Sequence, residues 1–231
     1  MTDWTTIAEL GTAGGTLALA GATYASVRAS NRTARIAERS LMVGLRPLLG
    51  PARPDDPSQE VLWGDGHRLT LAPGEAEAFE GPGGLCFAFP LRNVGAGLAV
   101  IHGWHLRPGM ERGAEHPAPP EFRRQQRDFY IAPGDIGFWQ GRIRGSQDRN
   151  PGEAAPIVID DEARAVVARA VTDQEPLTVH LLYGDHEGGQ PTVTRFAILP
   201  LDGQWTSTVS RHWSLEGHDP RDVQLGPEPQ S

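Results

Sequence analysis

From Leu10 to Val27 the chain carries no charged residue, and immediately after it arginines recur as Arg28, Arg32, Arg35 and Arg39. Wound as an α-helix at about 1.5 Å per residue, the uncharged run reaches roughly 27 Å, close to the hydrocarbon thickness of a bilayer. Arginines three and four apart share one face of a continuing helix. The opposite flank offers only Asp3. By the positive-inside rule this asymmetry places the N-terminus outside and everything after Arg28 in the cytoplasm. The expectation is a single-pass helix in the inner (plasma) membrane, with Trp4 at the outer interface, Glu9 near it, and the arginine face against anionic headgroups.

Two other readings compete for the same stretch. Glycine, threonine and alanine dilute Leu10, Leu17, Leu19 and Val27, which weakens insertion and suits an Ala/Gly-rich helix packed on a partner. A secretory signal peptide fits poorly, because the positive charge follows the apolar run and only Ala25-Ser26 offers a small-residue cleavage site. Gly11 and Gly15 make a GxxxG spacing, and Gly14, Ala18 and Ala22 continue a small-xxx-small row, through which two helices can approach closely and the chain self-associate.

Four segments are expected: a transmembrane and juxtamembrane helix over 1–50, a linker over 51–60, a β domain over 61–216, and a disordered tail over 217–231. In this division Leu41, Met42, Leu45, Leu48 and Leu49 keep helical spacing until Pro47 and Gly50-Pro51 end it. A protein cut at Pro51 is therefore expected to fold without the anchor. The net charge of -8 and the lack of a basic patch beyond the arginine flank exclude nucleic acid as the natural partner. The single cysteine, Cys86, sits between Leu85 and Phe87, so it forms no internal disulfide and is expected in a core.

Turn signals punctuate the β region. Val61-Leu62-Trp63 and 67–72 read as strands around Gly64-Asp65-Gly66, whereas 73–84 is too rich in glycine, proline and glutamate for either element. A strand over 85–92, bulged at Pro90, stops at Asn93-Val94-Gly95-Ala96-Gly97, whose residues accept the positive φ of a tight connection to a strand over 98–107. The stretch 110–126 reads as an exposed loop, and 128–132 and 136–143 as strands around Pro133-Gly134-Asp135. After a loop over 145–156, Asp160, Asp161 and Glu162 start a helix with Ala163, Val166, Val167 and Ala170 as its apolar stripe. Strands over 177–183 and 192–201 flank a glycine-rich hairpin loop. A last strand over 204–215 turns Trp205, Val209 and Trp213 inward. The sum is an antiparallel, immunoglobulin-like β-sandwich with one inserted helix, or else an open barrel.

The order of these signals carries a resemblance. An apolar span, an arginine-rich helix ending in Leu45-Arg46-Pro47, then Leu91-Arg92-Asn93-Val94-Gly95, Pro133-Gly134-Asp135 and Leu182-Tyr183-Gly184-Asp185 resemble small single-pass membrane proteins of high-GC actinobacteria with a β-sandwich domain. The resemblance covers most of the chain and implies no activity, no cofactor and no catalytic residue.

The one ligand-like group of side chains is His102, His105, His180, Asp185 and His186. On a regular strand His102 and His105 point to opposite faces, so they join one metal only if a bulge at Gly103 re-aims one of them. Adjacent carboxylates at 160–162 are better explained as a helix start than as an acid–base pair across a cleft. Phe129, Tyr130, Phe138 and Trp139 suit a core more than a ligand floor. No P-loop, nucleophile elbow or dinucleotide glycine pattern occurs. The expected function is a non-enzymatic interaction or scaffold module at the inner membrane face, holding a protein partner. Its rival is a membrane-attached, metal-dependent hydrolase or ligand sensor built from His102, His180, Asp185 and His186.

Overall fold

A computed structural model describes residues 4–63, 65–81, 83–144 and 161–215. The expected loop at 145–156, Asp160 and the expected tail at 217–231 lie outside the described residues. Contacts divide the chain into two units, Met1–Gly44 and Leu45–Ser231.

The first unit is one helix, α1 (Trp4–Gly44), of 41 residues. Leu19, Tyr24, Val27, Ile36 and Leu41 lie open along it, as do Arg28, Arg32 and Arg35. The side chain of Arg39 is not among those described; in the small-residue row, Gly15 and Ala22 are open. Among the described residues no helix is long and apolar enough to cross a membrane. The expected span over Leu10–Val27 therefore finds no support from hydropathy, since glycine, threonine and alanine dilute its leucines. The helix also stops short of the Leu45–Leu49 pattern. Pro47 lacks an amide and its ring clashes with the preceding turn, so Leu49 enters a strand instead.

The second unit is mainly β, with every strand pair antiparallel. In chain order it runs β1 (Leu49–Pro51), β2 (Gln59–Leu62), β3 (Arg68–Leu71), β4 (Glu75–Gly81), β5 (Gly84–Asn93) and β6 (Ala99–Pro108). There follow a short 3-10 turn (Pro119–Glu121), β7 (Arg123–Ile131), β8 (Ile136–Ile143), α2 (Asp161–Thr172), β9 (Leu177–Gly184), β10 (Thr192–Leu201) and β11 (Gln204–Ser214). The order across the main sheet is β1-β5-β4-β11-β10-β9-β6-β7, and β8 lies along the other side of β5. One layer holds β1, β4, β5 and β8; the other holds β6, β7, β9, β10 and β11. They join where Glu75 and Ala76 of β4 pair with Thr206 and Trp205 of β11.

Between the layers Phe89 packs on Trp139 at 5.0 Å and on Phe196 at 4.8 Å between ring centroids. Phe87, Leu91, Ile101, Trp104, Val179, Leu181 and Ile198 complete this core, and α2 covers one side with Val167 and Ala170. Each such side chain contributes about 2 kcal/mol by leaving water. A smaller cluster lies on the back of β5, where the β2–β3 hairpin sets Val61, Trp63 and Leu71 against Cys86 and Ala88. Cys86 is buried and free there, and burial pushes its thiol pKa up.

Several expectations are corrected. Residues 75–81 form β4 despite their glutamates: Ala76 and Ala78 turn inward, and neighbours on both edges supply the hydrogen bonds that propensity alone does not favour. Strand β5 runs through Pro90 without a bulge, its register to β8 unbroken from Leu85 to Arg92. The Val94 amide donates to the Leu48 carbonyl, so even-numbered amides of β5 face β1 and β4. Pro90 falls in the gap between the stretch paired to β4, which ends at Ala88, and the stretch paired to β1, which begins at Leu91. Its missing donor breaks no ladder.

Trp213 faces outward, because the register shifts between Arg195 and Phe196 and Ser210 is skipped, which reverses the alternation that turns Trp205 inward. Strand β7 begins five residues before the expected 128. In α2, Asp161 and Glu162 do occupy the first turn, but Val167 and Ala170 are buried while Ala163 and Val166 stay open.

Candidate functional site

The histidine and aspartate group does not converge. A register shift between Ile101 and Gly103 leaves His102 outside both ladders of β6. Ile101 and Trp104, three apart, both reach the core, so the parity that separates His102 from His105 no longer holds. This brings no third donor. His180 is fully buried, opposite His105 in the ladder, and its Nε2 accepts a hydrogen bond from Arg195 Nε at 3.0 Å. Asp185 lies five residues further on, about 16 Å along an extended strand. Its Oδ1 accepts from the amides of Glu187 (3.0 Å) and Gly189 (2.8 Å), which closes the loop after β9. His186 is exposed beside Glu187. Among the described residues no group of three or more histidine, cysteine, aspartate or glutamate side chains is placed to hold a metal ion.

Instead, the structure uses His180 to support a strap. Residues 109–122, most of them in the stretch 110–126 expected as an exposed loop, cross the outer face of β9, β10 and β11 and are tied down by Arg195, itself 3% exposed. Its Nη1 donates to the carbonyls of Glu111 (3.2 Å) and Gly113 (2.9 Å), and its Nη2 to that of Glu115. The Glu111 carboxylate lies 3.4 Å from Nη2, and the guanidinium stacks over the Trp213 ring at 4.8 Å. Trp213 Nε1 donates to the Ala114 carbonyl at 2.8 Å, and Phe122 packs with Val193 and Trp213. A guanidinium carries five donors in a rigid fork, so one side chain can satisfy three carbonyls of an irregular segment.

Burial, with the charge of Arg195 second, holds the His180 pKa down to about 3. Burial, followed by Arg107, holds His105 down to about 4. Both imidazoles are neutral at pH 7, and acceptance at Nε2 puts the His180 proton on Nδ1.

A second node lies where β1 enters. Asn93 is fully buried, and its side chain makes every bond an amide can make. Oδ1 accepts from the amides of Leu48 (3.2 Å) and Gly95 (3.0 Å); Nδ2 donates to the carbonyls of Gly97 (2.7 Å) and Ile131 (2.9 Å). Its backbone amide donates to Asp135 O, and its carbonyl accepts from Gly134 N. A Cβ on Gly95 would sit 2.3 Å from Arg46 O, and one on Gly97 1.8 Å from Leu45 O. These glycines therefore serve close backbone approach. Positive φ is absent from both, and the segment crosses from one layer to the other instead of making a hairpin.

The Tyr183 hydroxyl accepts from the Leu49 amide at 3.1 Å and pairs with Thr194 Oγ1 at 2.8 Å; burial pushes its pKa up to about 12. Arg46 Nε donates to Gln190 Oε1 at 3.4 Å. Leu45-Arg46-Pro47, Asn93-Val94-Gly95, Pro133-Gly134-Asp135 and Tyr183-Gly184-Asp185 thus belong to one hydrogen-bonded junction. Each is visible in the sequence as a turn or strand end; that they are partners is not, because their meeting depends on sheet order and register.

No protein-family model, curated protein or solved structure matches this chain.

Proposed function

We propose that this chain is a membrane-anchored, non-enzymatic interaction module, with α1 as its anchor and the β unit presented to a protein partner at the cytoplasmic face. The observation that carries the reading is the junction around Asn93 and Tyr183, which grips residues 45–49, the lead into the β unit directly after α1. A domain held out from an anchor needs its entering chain fixed, and these bonds fix it. The open apolar side chains of α1 support the reading, since Leu19, Tyr24, Val27, Ile36 and Leu41 call for a cover other than water. The resemblance to small actinobacterial single-pass proteins belongs to the same proposal, and so does self-association through Gly11, Gly15, Ala18 and Ala22. For the fold, an immunoglobulin-like sandwich and an open barrel remain the two readings. The pairing of β4 with β11, which makes the two layers one continuous sheet, speaks for the barrel.

Fractionation of cells making the full chain tests the anchor. The protein should sediment with membranes and resist carbonate extraction, and a phosphatase fused to its C-terminus should stay inactive. Recovery in the soluble fraction would sink the proposal. An active fusion would reverse the orientation, and replacing Arg28, Arg32, Arg35 and Arg39 with glutamine should scramble it. The rival metal-dependent reading is not favoured, because Arg195 occupies His180 Nε2 and the loop amides occupy Asp185 Oδ1.

A further inference from the structure

Arg195 and Arg211 are direct cross-strand partners in the ladder between β10 and β11. Like charges at such positions destabilise a sheet unless something answers them. Arg195 is answered by Glu111, His180 and the strap carbonyls. Arg211 is not: among the described residues it forms no ion pair, its Nε is buried without a partner, and its guanidinium stacks on Trp213 at 5.4 Å. The bulge at Ser210 is what brings Arg211 to this face.

Beside it lies an open depression of about 360 Å³ lined by Glu111, Arg112, Gly113, Arg195, Ser210 and Arg211. Arg112 is exposed and likewise forms no ion pair among the described residues. Three guanidiniums against the one carboxylate of Glu111 leave two positive charges around a cavity in a chain whose net charge is -8. The size falls at the lower end of small-ligand sites, which begin near roughly 300 Å³.

We propose that this depression binds a dianionic, phosphate-type group of a small soluble ligand, with Arg211 and Arg112 as its ligands and buried Arg195 as a fixed charge behind them. Two uncompensated guanidiniums match a phosphate dianion better than a single carboxylate, and the guanidinium fork suits its tetrahedral oxygens. Ser210, at the rim, spends its hydroxyl proton on the Arg195 carbonyl at 3.4 Å, so that oxygen takes no proton-donating role toward the ligand. The site lies within the β unit and does not depend on how the chain meets a membrane.

The test is the melting temperature of the full chain titrated with inorganic phosphate at constant ionic strength. A saturable rise is expected with phosphate and with sulfate, but not with acetate or chloride. Arg211→Gln should abolish it. Arg112→Gln, at an exposed position that leaves folding intact, should raise the half-saturating phosphate concentration about tenfold, the weight of one charge-assisted contact. A rise matched by chloride, an equal response to acetate, or an unchanged phosphate midpoint in Arg112→Gln overturns the proposal. An adequately folded Arg211→Gln that still saturates does the same.

Discussion

Asn93 is the side chain on which the most backbone depends, because all four of its amide bonds end on main-chain groups, at Leu48, at Gly95 and Gly97 of the following connection, and at Ile131. Asn93→Ala leaves those groups without partners in a buried site, each costing about 1–3 kcal/mol. The expected loss is at least about 3 kcal/mol in urea denaturation; a loss below about 1 kcal/mol would show that water replaces the amide and that the junction is not what fixes residues 45–49.

The histidines make a second residue-scale statement. His180 binds its proton near pH 6.5 when unfolded and only near 3 when folded, so below pH 6.5 the unfolded chain holds more protons. Stability is therefore full above about pH 6.5 and falls as the pH drops toward 3, and His105 shifts it the same way. Between pH 7 and 5, His180 alone should remove about 2 kcal/mol. His180→Gln keeps an acceptor for Arg195 and removes the titration, so its stability should depend less on pH over that interval. An equally steep profile in the variant would assign the acid sensitivity elsewhere.

At the scale of elements, β1 decides where the β unit begins. Leu49 is fully buried in the main core, and its amide and that of Leu48 are held by Tyr183 and Asn93. A protein starting at Pro51 loses that strand, whereas one starting at Leu45 keeps it. Circular dichroism should show a cooperative, β-rich melt for the Leu45 start and a transition about 6–12 °C lower for the Pro51 start, since about 3 kcal/mol shifts a domain of this size by that much. Equal melting of the two would return the boundary to Pro51.

The elements also show what was legible in the sequence. β8 matches its expected bounds because alternating residues and the Pro133-Gly134-Asp135 turn both mark it. β4 is hidden by its composition: Glu75, Ala76, Glu77 and Ala78 have low strand propensity, Glu80 and Gly81 add to it, and only neighbours on both edges make it a strand. Faces were harder than elements. Alternation predicts inward residues only while register holds, and bulges at His102 and Ser210 move His105 and Trp213 away from where parity sets them. Of the candidate site, the motifs were readable one by one. Arg195 is not legible at all, since a lone arginine between Thr194 and Phe196 carries no local signal that three carbonyls of a distant strap will end on it.

At the scale of the whole molecule, two layers close through a short contact between the early strand β4 and β11, the last strand among the described residues. Ala76 and Trp205 are paired, yet 129 residues separate them in the chain. At a ribosome adding roughly 5–20 residues per second, the inner edge of β4 waits about 6–26 s for its partner. Over much of that interval Phe89 lacks Phe196, its partner in the opposite layer, which arrives only with β10. The newborn chain therefore remains sticky until nearly its last described strand has emerged, and any release factor, chaperone or neighbouring nascent chain meets it while its core is still half open.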